Sequence, residues 1–215
     1  KSVMSTKFEN MLKSSEKRLE IAMLYGNQNI GTAAQQDVGT PTTTLTFIVD
    51  YASWATGIWT GSENANIVFS KASDNTAVDS LHSYKISAVN PDTRAVSVQV
   101  GTAGTPGVIA TLETAIEAYA VNINWYGSVS GSAGSFAYAE MAGLRKILTN
   151  TGTLFGIDAG TYDLWKGNSV TTSGQLTMAK VLSAVSRAVQ RGLDTDAVVL
   201  VNPSTWADLA SNLAA

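Results

Sequence analysis

The chain has no cysteine and a single histidine, His82. The first absence removes a disulfide framework and every cysteine-based zinc site, and the second removes most histidine-built metal and acid–base arrangements. Charge is sparse as well: 14% of residues are Asp, Glu, Lys or Arg, and 14 basic against 17 acidic residues leave a net charge of -3. That balance supplies no electrostatic drive toward nucleic acid or an anionic membrane, which argues against direct sequence-specific DNA binding. No apolar run approaches the roughly 20 residues that span a bilayer, and residues 1–26 lack the apolar block of a signal peptide. The sequence reads as a soluble chain without an export address. What is present in quantity is apolar, 45% of 215 residues, which is enough for a large core.

Catalytic signatures are missing too. Residues 127–131 read G-S-V-S-G, which puts valine where the nucleophile of a G-x-S-x-G elbow would stand. Gly127, Gly131 and Gly134 fit neither the phosphate loop nor the dinucleotide fingerprint, so residues 127–135 read as a flexible loop or a boundary. Asp74 with Asp79, and Asp158 with Asp163, lack calcium-loop spacing. His82 precedes a strand in a polar context and reads as a surface or strand-edge residue. The sequence therefore points away from an enzyme: it assigns no catalytic, metal-binding or cofactor-binding residue and no cofactor.

Val3, Phe8, Met11/Leu12, Leu19 and Ala22/Met23 recur at helical spacing with no internal Gly or Pro, which predicts one long helix ending near Gly26. Its apolar positions are not a strict heptad, so it is expected to pack along a sheet or a neighbouring subunit. Residues 27–41 read as a connector. Short β-forming runs follow at 44–49 (TLTFIV), 66–70 (NIVFS), 84–89 (YKISAV), 94–100 (RAVSVQV) and 119–127 (YAVNINWYG). Asn90-Pro91-Asp92-Thr93 suits a type I turn between the third and fourth, and five or six strands at this spacing predict a small β-sandwich or β-barrel. Beyond it the pattern predicts a short helix over 138–148, a helix over 175–191 with an apolar stripe of Leu176, Ala179, Leu182, Val185 and Val189, and a buried strand over 197–201. A last helix is expected to be capped by Asn202-Pro203, with Trp206, Leu209 and Leu213 on its apolar face.

Residues 149–168 set Leu154, Phe155, Ile157, Tyr162, Leu164 and Trp165 among glycines. So many glycines exclude a helix, and so much apolar surface does not suit a flexible linker. The segment is expected to be an ordered, irregular strip pressed against something. Phe155, Tyr162, Trp165 and Lys166 are its candidate anchors at a seam or subunit interface, with core packing an equal alternative for Phe155 and Ile157.

Four phrases, SEKRLEIAMLYGN (15–27), AEMAGLRKILTNTGTLFGID (139–158), YDLWKGN (162–168) and RGLDTDAVVLVNPSTWADL (191–209), occur in an order that resembles the major capsid proteins of tailed bacteriophages with the HK97 fold. The resemblance implies an α+β chain: a spine-type helix and connector over 1–40, an inserted β-rich domain over 41–127, a peripheral-domain return with the glycine-rich strip over 128–174, and an incomplete axial-type α/β domain over 175–215. It implies hexamers and pentamers of one chain forming an icosahedral shell. That shell encloses double-stranded DNA without sequence-specific binding, in a virion assembled in the host cytoplasm, with scaffold or decoration proteins as further partners and no membrane. The resemblance leads us to expect an N-terminal arm and hairpin loop before the spine helix, and the sequence from Lys1 is read as lacking them. Because the chain starts at Lys1 and stops within an α/β unit, a fragment of a longer protein is expected. Two rivals stand beside this reading: a tail or decoration protein that uses the β-domain as a binding module, and a carbohydrate-active hydrolase with its site in that domain.

Overall fold

A computed structural model of the chain describes residues 3–34, 43–80, 82–104, 107–132, 135–170, 176–194, 196, 198–201 and 203–213. It is mixed α and β, and it divides into two compact units, Lys1–Lys146 and Ile147–Ala215.

The first unit is organised by a closed six-stranded barrel. Its strands are β1 (Gly31–Ala34), β2 (Thr44–Val49), β3 (Asn66–Lys71), β4 (Tyr84–Asn90), β5 (Ala95–Val100) and β6 (Val121–Trp125), in the order β1-β2-β5-β4-β3-β6. All neighbours pair antiparallel. Of the two architectures the strand spacing allows, the barrel is the one formed. Closure comes from β1, which pairs with β2 on one side and β6 on the other, for example Ala33 with both Val49 and Val121. This is a correction to the connector expected at 27–41: residues 31–34 are a strand, and 35–42 lie outside the described residues. A four-residue Gly-Thr-Ala-Ala strand has no alternation to reveal it, so only its two partners define it.

The alternation in the other strands does decide what faces inward. Leu45, Phe47 and Val49 of β2, Ile67 and Phe69 of β3, Tyr84 and Ile86 of β4, and Val96 and Val98 of β5 enter one buried cluster. Val121, Ile123 and Trp125 complete it from β6. Phe47 and Tyr84 both meet Phe69 edge-on, at ring distances of 5.7 and 5.3 Å. Trp59, at the end of the short helix α2 (Thr56–Trp59), is fully buried and stacks on Trp54 at 5.9 Å.

The β4–β5 hairpin forms as expected. Asn90 Oδ1 accepts hydrogen bonds from the backbone N–H groups of Asp92 (3.0 Å) and Thr93 (3.3 Å), and Arg94 at φ 60° finishes the turn, so β5 starts at Ala95. The register shifts between Ile86 and Ala88, which marks a bulge. A helix absent from the sequence reading, α3 (Ile109–Ala118), sends Ile109, Leu112, Ala115 and Ile116 into the same core. Their three- and four-residue spacing was a legible signal.

The long helix α1 (Val3–Tyr25) is present, 23 residues or about 34 Å. It does not use its apolar stripe to reach the barrel. Ile21 is its buried residue, Arg18 lies 4.7 Å over the Trp125 ring and 3.5 Å from Glu140, and Lys17 Nζ donates to the Thr60 carbonyl. Met4, Phe8, Met11, Leu12, Leu19 and Met23 are exposed.

Residues 127–135 are not simply a loop. The strand β7 (Val129–Ser132) pairs in antiparallel register with β8 (Ser135–Tyr138), Val129 opposite Tyr138, while 133–134 lie outside the described residues. The following helix, α4, is shorter than expected, Leu144–Thr149.

Past Ile147 stand the two-residue strands β9 (Thr153–Leu154) and β10 (Ile157–Asp158), a 3₁₀ turn at Asp163–Trp165, α5 (Met178–Gln190) and α6 (Pro203–Leu213). The expected buried strand at 197–201 is overturned: residues 198–201 form no strand, and Val198 and Leu200 are 84% and 81% exposed. A strand needs a neighbour to satisfy its backbone, and the only ladder described in this unit is the β9–β10 pair. The proposed Asn202 cap and the start of the helix at Gln175 fall outside the described residues.

Candidate functional site

The glycine-rich strip takes its shape from two tight turns. Leu154 pairs with Ile157, and the two residues between them, Phe155 (φ 53°) and Gly156 (φ 78°), both have positive φ, the pattern of a type I′ hairpin turn. Glycine enters this region freely, whereas a bulky residue at the first position is strained and unusual. The next turn is closed by Asp158, whose carboxylate accepts from the Gly160 N–H (3.1 Å) and the Thr161 hydroxyl (2.9 Å). Those hydrogen bonds hold its carboxyl below the usual range.

The anchors named from the sequence are not core residues of the chain. Phe155, Tyr162 and Trp165 are 65%, 62% and 38% exposed. Two of them meet: the Phe155 and Trp165 rings pack edge-on at 6.5 Å, and the Trp165 indole N–H donates to the Leu154 carbonyl at 3.1 Å, tying the 3₁₀ turn back to the hairpin. Tyr162 joins through its backbone, its N–H donating to the Asp158 carbonyl and its own carbonyl accepting from Trp165. The strip is ordered by its turns and hydrogen bonds, and its large side chains remain available at the surface.

Lys166 leads to a different feature. Its ammonium is 2.6 Å from Asp163 Oδ1, and Arg191, at the end of α5, is 3.3 Å from Asp163 Oδ2. The Lys166 hydrogen bond, then the Arg191 and Lys166 charges, hold the Asp163 carboxyl below its usual range. One residue on, Gly167 runs against the end of α4, where a Cβ would stand 2.2 Å from the Leu148 carbonyl oxygen. Beside this crossing opens a cavity of about 630 Å³, lined among others by Asn150, Lys166, Asn168, Ser169, Arg187 and Arg191. Asn150 is buried and braces the wall, its amide donating to the Gly152 carbonyl at 2.8 Å. Among the described residues, three of those lining it are cationic and none is acidic. Arg187 stands in the last turn of α5 and Arg191 caps its end. Their four-residue spacing puts them on one helix face, but nothing local announces that Lys166 folds back to join them.

A second cavity, of about 430 Å³, runs along α5 and is lined by Val181, Ala184, Val185, Ala188, Leu193 and Leu200, among others. Part of the expected α5 stripe is elsewhere: Leu182 and Val189 are exposed.

In the first unit one cluster has a catalytic look. The Tyr84 hydroxyl lies 2.8 Å from Asp79 Oδ2, which also accepts from the Val108 N–H at 3.1 Å, and His82 Nδ1 is 3.2 Å from Asp79 Oδ1. Tyr84 is completely buried, and burial followed by its bond to Asp79 pushes its hydroxyl well above the ordinary range. The geometry is that of a latch fastening Asp79 and Tyr84 to the start of α3. His82, expected as a surface or strand-edge residue, is half-buried within it.

Among the described residues, no group of three His, Cys, Asp or Glu side chains is placed to hold a metal ion, and no helix is long and apolar enough to cross a membrane. Comparison of the chain with protein-family models, curated proteins and solved structures found no match.

Proposed function

We propose that the chain is a structural, non-enzymatic subunit that associates with copies of itself into a closed shell around double-stranded DNA, as the resemblance to HK97-type capsid proteins implies. The observation that carries this reading is a pair of uncovered apolar surfaces, one in each unit. In the first unit it is the α1 stripe of Met4, Phe8, Met11, Leu12, Leu19 and Met23; in the second it is Phe155, Tyr162, Leu164 and Trp165. Exposed large apolar side chains are ordinary when scattered, but grouped on one helix face or one strip they mark contact surfaces. Two different surfaces on one chain suit head-to-tail contacts, which propagate from copy to copy and close into rings or shells when the rotation permits. Each contact is modest, and each copy engages several neighbours at once. The net charge of -3 suits a wall that encloses a polyanion without gripping it.

The barrel bears on the rival binding-module reading. Its strand order closes from β1 to β6, so no barrel strand stands at the open edge of a sheet, the usual place for strand addition by a partner.

Sedimentation velocity and negative-stain imaging of the chain test the proposal. Closed particles of uniform size are expected, and Met11→Glu on α1 and Trp165→Ala on the strip should each shift mass from particles to subunits. A monomer at every concentration, or particles that form equally well with both substitutions, would sink it.

A further inference from the structure

We infer that the cationic cavity of the second unit is a binding site for a phosphate-bearing anion. This inference does not rest on the shell reading.

Three cations from two separate stretches of sequence converge there: Lys166 after the 3₁₀ turn, and Arg187 and Arg191 at the end of α5. Among the described residues, the cavity's own lining supplies no carboxylate. Asp163, outside the lining, pairs with Lys166 and Arg191 together and so fixes both side chains while cancelling only one of the three charges. Among the described residues Arg187 has no ion pair. The α5 dipole places partial negative charge at this end, which offsets part of the remaining excess but not two full charges. Asn168 and Ser169 add neutral donors to the same wall.

Concave shape and a volume of about 630 Å³ belong to the range of small-molecule sites rather than to a flat polymer-binding face. Guanidinium groups favour oxyanions they can engage with two parallel N–H bonds, and a phosphate offers three acceptor oxygens and up to two charges, matching the excess. The phosphate can belong to a free small molecule or to a nucleic-acid backbone, and the two sources separate experimentally.

The test uses the whole chain, with binding of pyrophosphate and of a short DNA duplex measured side by side at fixed ionic strength, and amide resonances followed by NMR. Pyrophosphate is expected to bind and to move the amides of 149–151 and 166–169. Arg187→Ala should weaken it about tenfold, the loss of one charge-assisted contact, and Arg187→Lys should restore part of that. Lys180→Ala, a cation of the same helix outside this cavity, should leave binding unchanged. Arg187 is exposed, so its loss is not expected to unfold the chain, and a thermal melt of each variant checks this. Duplex binding that depends on Arg187, without pyrophosphate binding, upholds a phosphate site and assigns it to nucleic acid. Failure of both probes to bind, or binding by either that Arg187→Ala and Lys180→Ala weaken equally, overturns the inference.

Discussion

The barrel and the second unit are both rich in large apolar side chains, yet they treat them in opposite ways. In the barrel, Trp59, Phe47, Phe69 and Tyr84 are sealed, and the strand order closes on itself so that each strand has a neighbour on both sides. Past Ile147, the buried apolar residues are Ala159 and Leu209, while Leu164, Val198, Leu200 and Trp206 stand out in solvent among the described residues. Composition alone does not separate these cases. What separates them is whether the backbone around the apolar residues can complete its own hydrogen bonding: six paired strands make a closed wall with an inside, and a two-residue hairpin with two helices does not.

The largest expected contrast is between two tryptophans. Trp59→Ala should cost about 3–5 kcal/mol, because a fully buried indole leaves a cavity that its stacked neighbour Trp54 cannot fill. Trp165→Ala should cost only about 1 kcal/mol, since that ring is partly exposed and loses one edge-on partner and one hydrogen bond. Urea unfolding followed by circular dichroism measures both; equal losses would mean the strip is as well packed as the barrel.

A smaller effect probes the one tight backbone crossing in the second unit. Gly167→Ala puts a methyl group 2.2 Å from the Leu148 carbonyl oxygen, so one of the two backbones must move, at about 1–3 kcal/mol. Hydrogen exchange should speed up around 148–151 and 166–169 while the barrel amides stay protected. Loss of protection in the barrel would show the two units to be one cooperative body.

The smallest effect at neutral pH, though growing with alkalinity, concerns two tyrosines of the first unit. Burial pushes Tyr138 up to about 12 and Tyr84 higher still, above the ordinary value of 10.0. Because the folded state holds both protons more tightly, this stabilisation is complete below pH 10 and is lost progressively as pH rises toward and past 12. In an alkaline titration followed by ultraviolet absorbance, Tyr84 and Tyr138 should stay protonated beyond pH 10, with Tyr84 ionising only as the barrel that buries it unfolds. Absorbance changes showing Tyr84 or Tyr138 ionised at pH 10, assigned with Tyr84→Phe and Tyr138→Phe, would contradict their burial.

Much of the barrel was legible because its information is local. The run 44–49 alternates and became β2 with the same bounds, and Asn90-Pro91 carries its turn in its own side chain and ring. The candidate site was legible only in part. Phe155, Trp165 and Lys166 stood out by chemistry, and the strip's turns by its glycines. The convergence of Lys166 with Arg187 and Arg191 joins positions more than twenty residues apart and leaves no periodic trace. The strand expected at 197–201 failed for the complementary reason: a run of valine and leucine suits a strand, but only a neighbouring strand makes it one.

By itself, then, the amino-acid order determined where helix and strand periods begin and change, the hairpin turn, the exclusion of cysteine chemistry and the scarcity of charge. Tertiary structure alone decided that Gly31–Ala34 closes the barrel, that α1 meets it through Arg18 and Ile21 instead of its most apolar stripe, and that three cations share one cavity. The division follows from range: dihedral preference and side-chain period act over a few residues, while closure, exposure and charge convergence depend on which distant segments the backbone brings together.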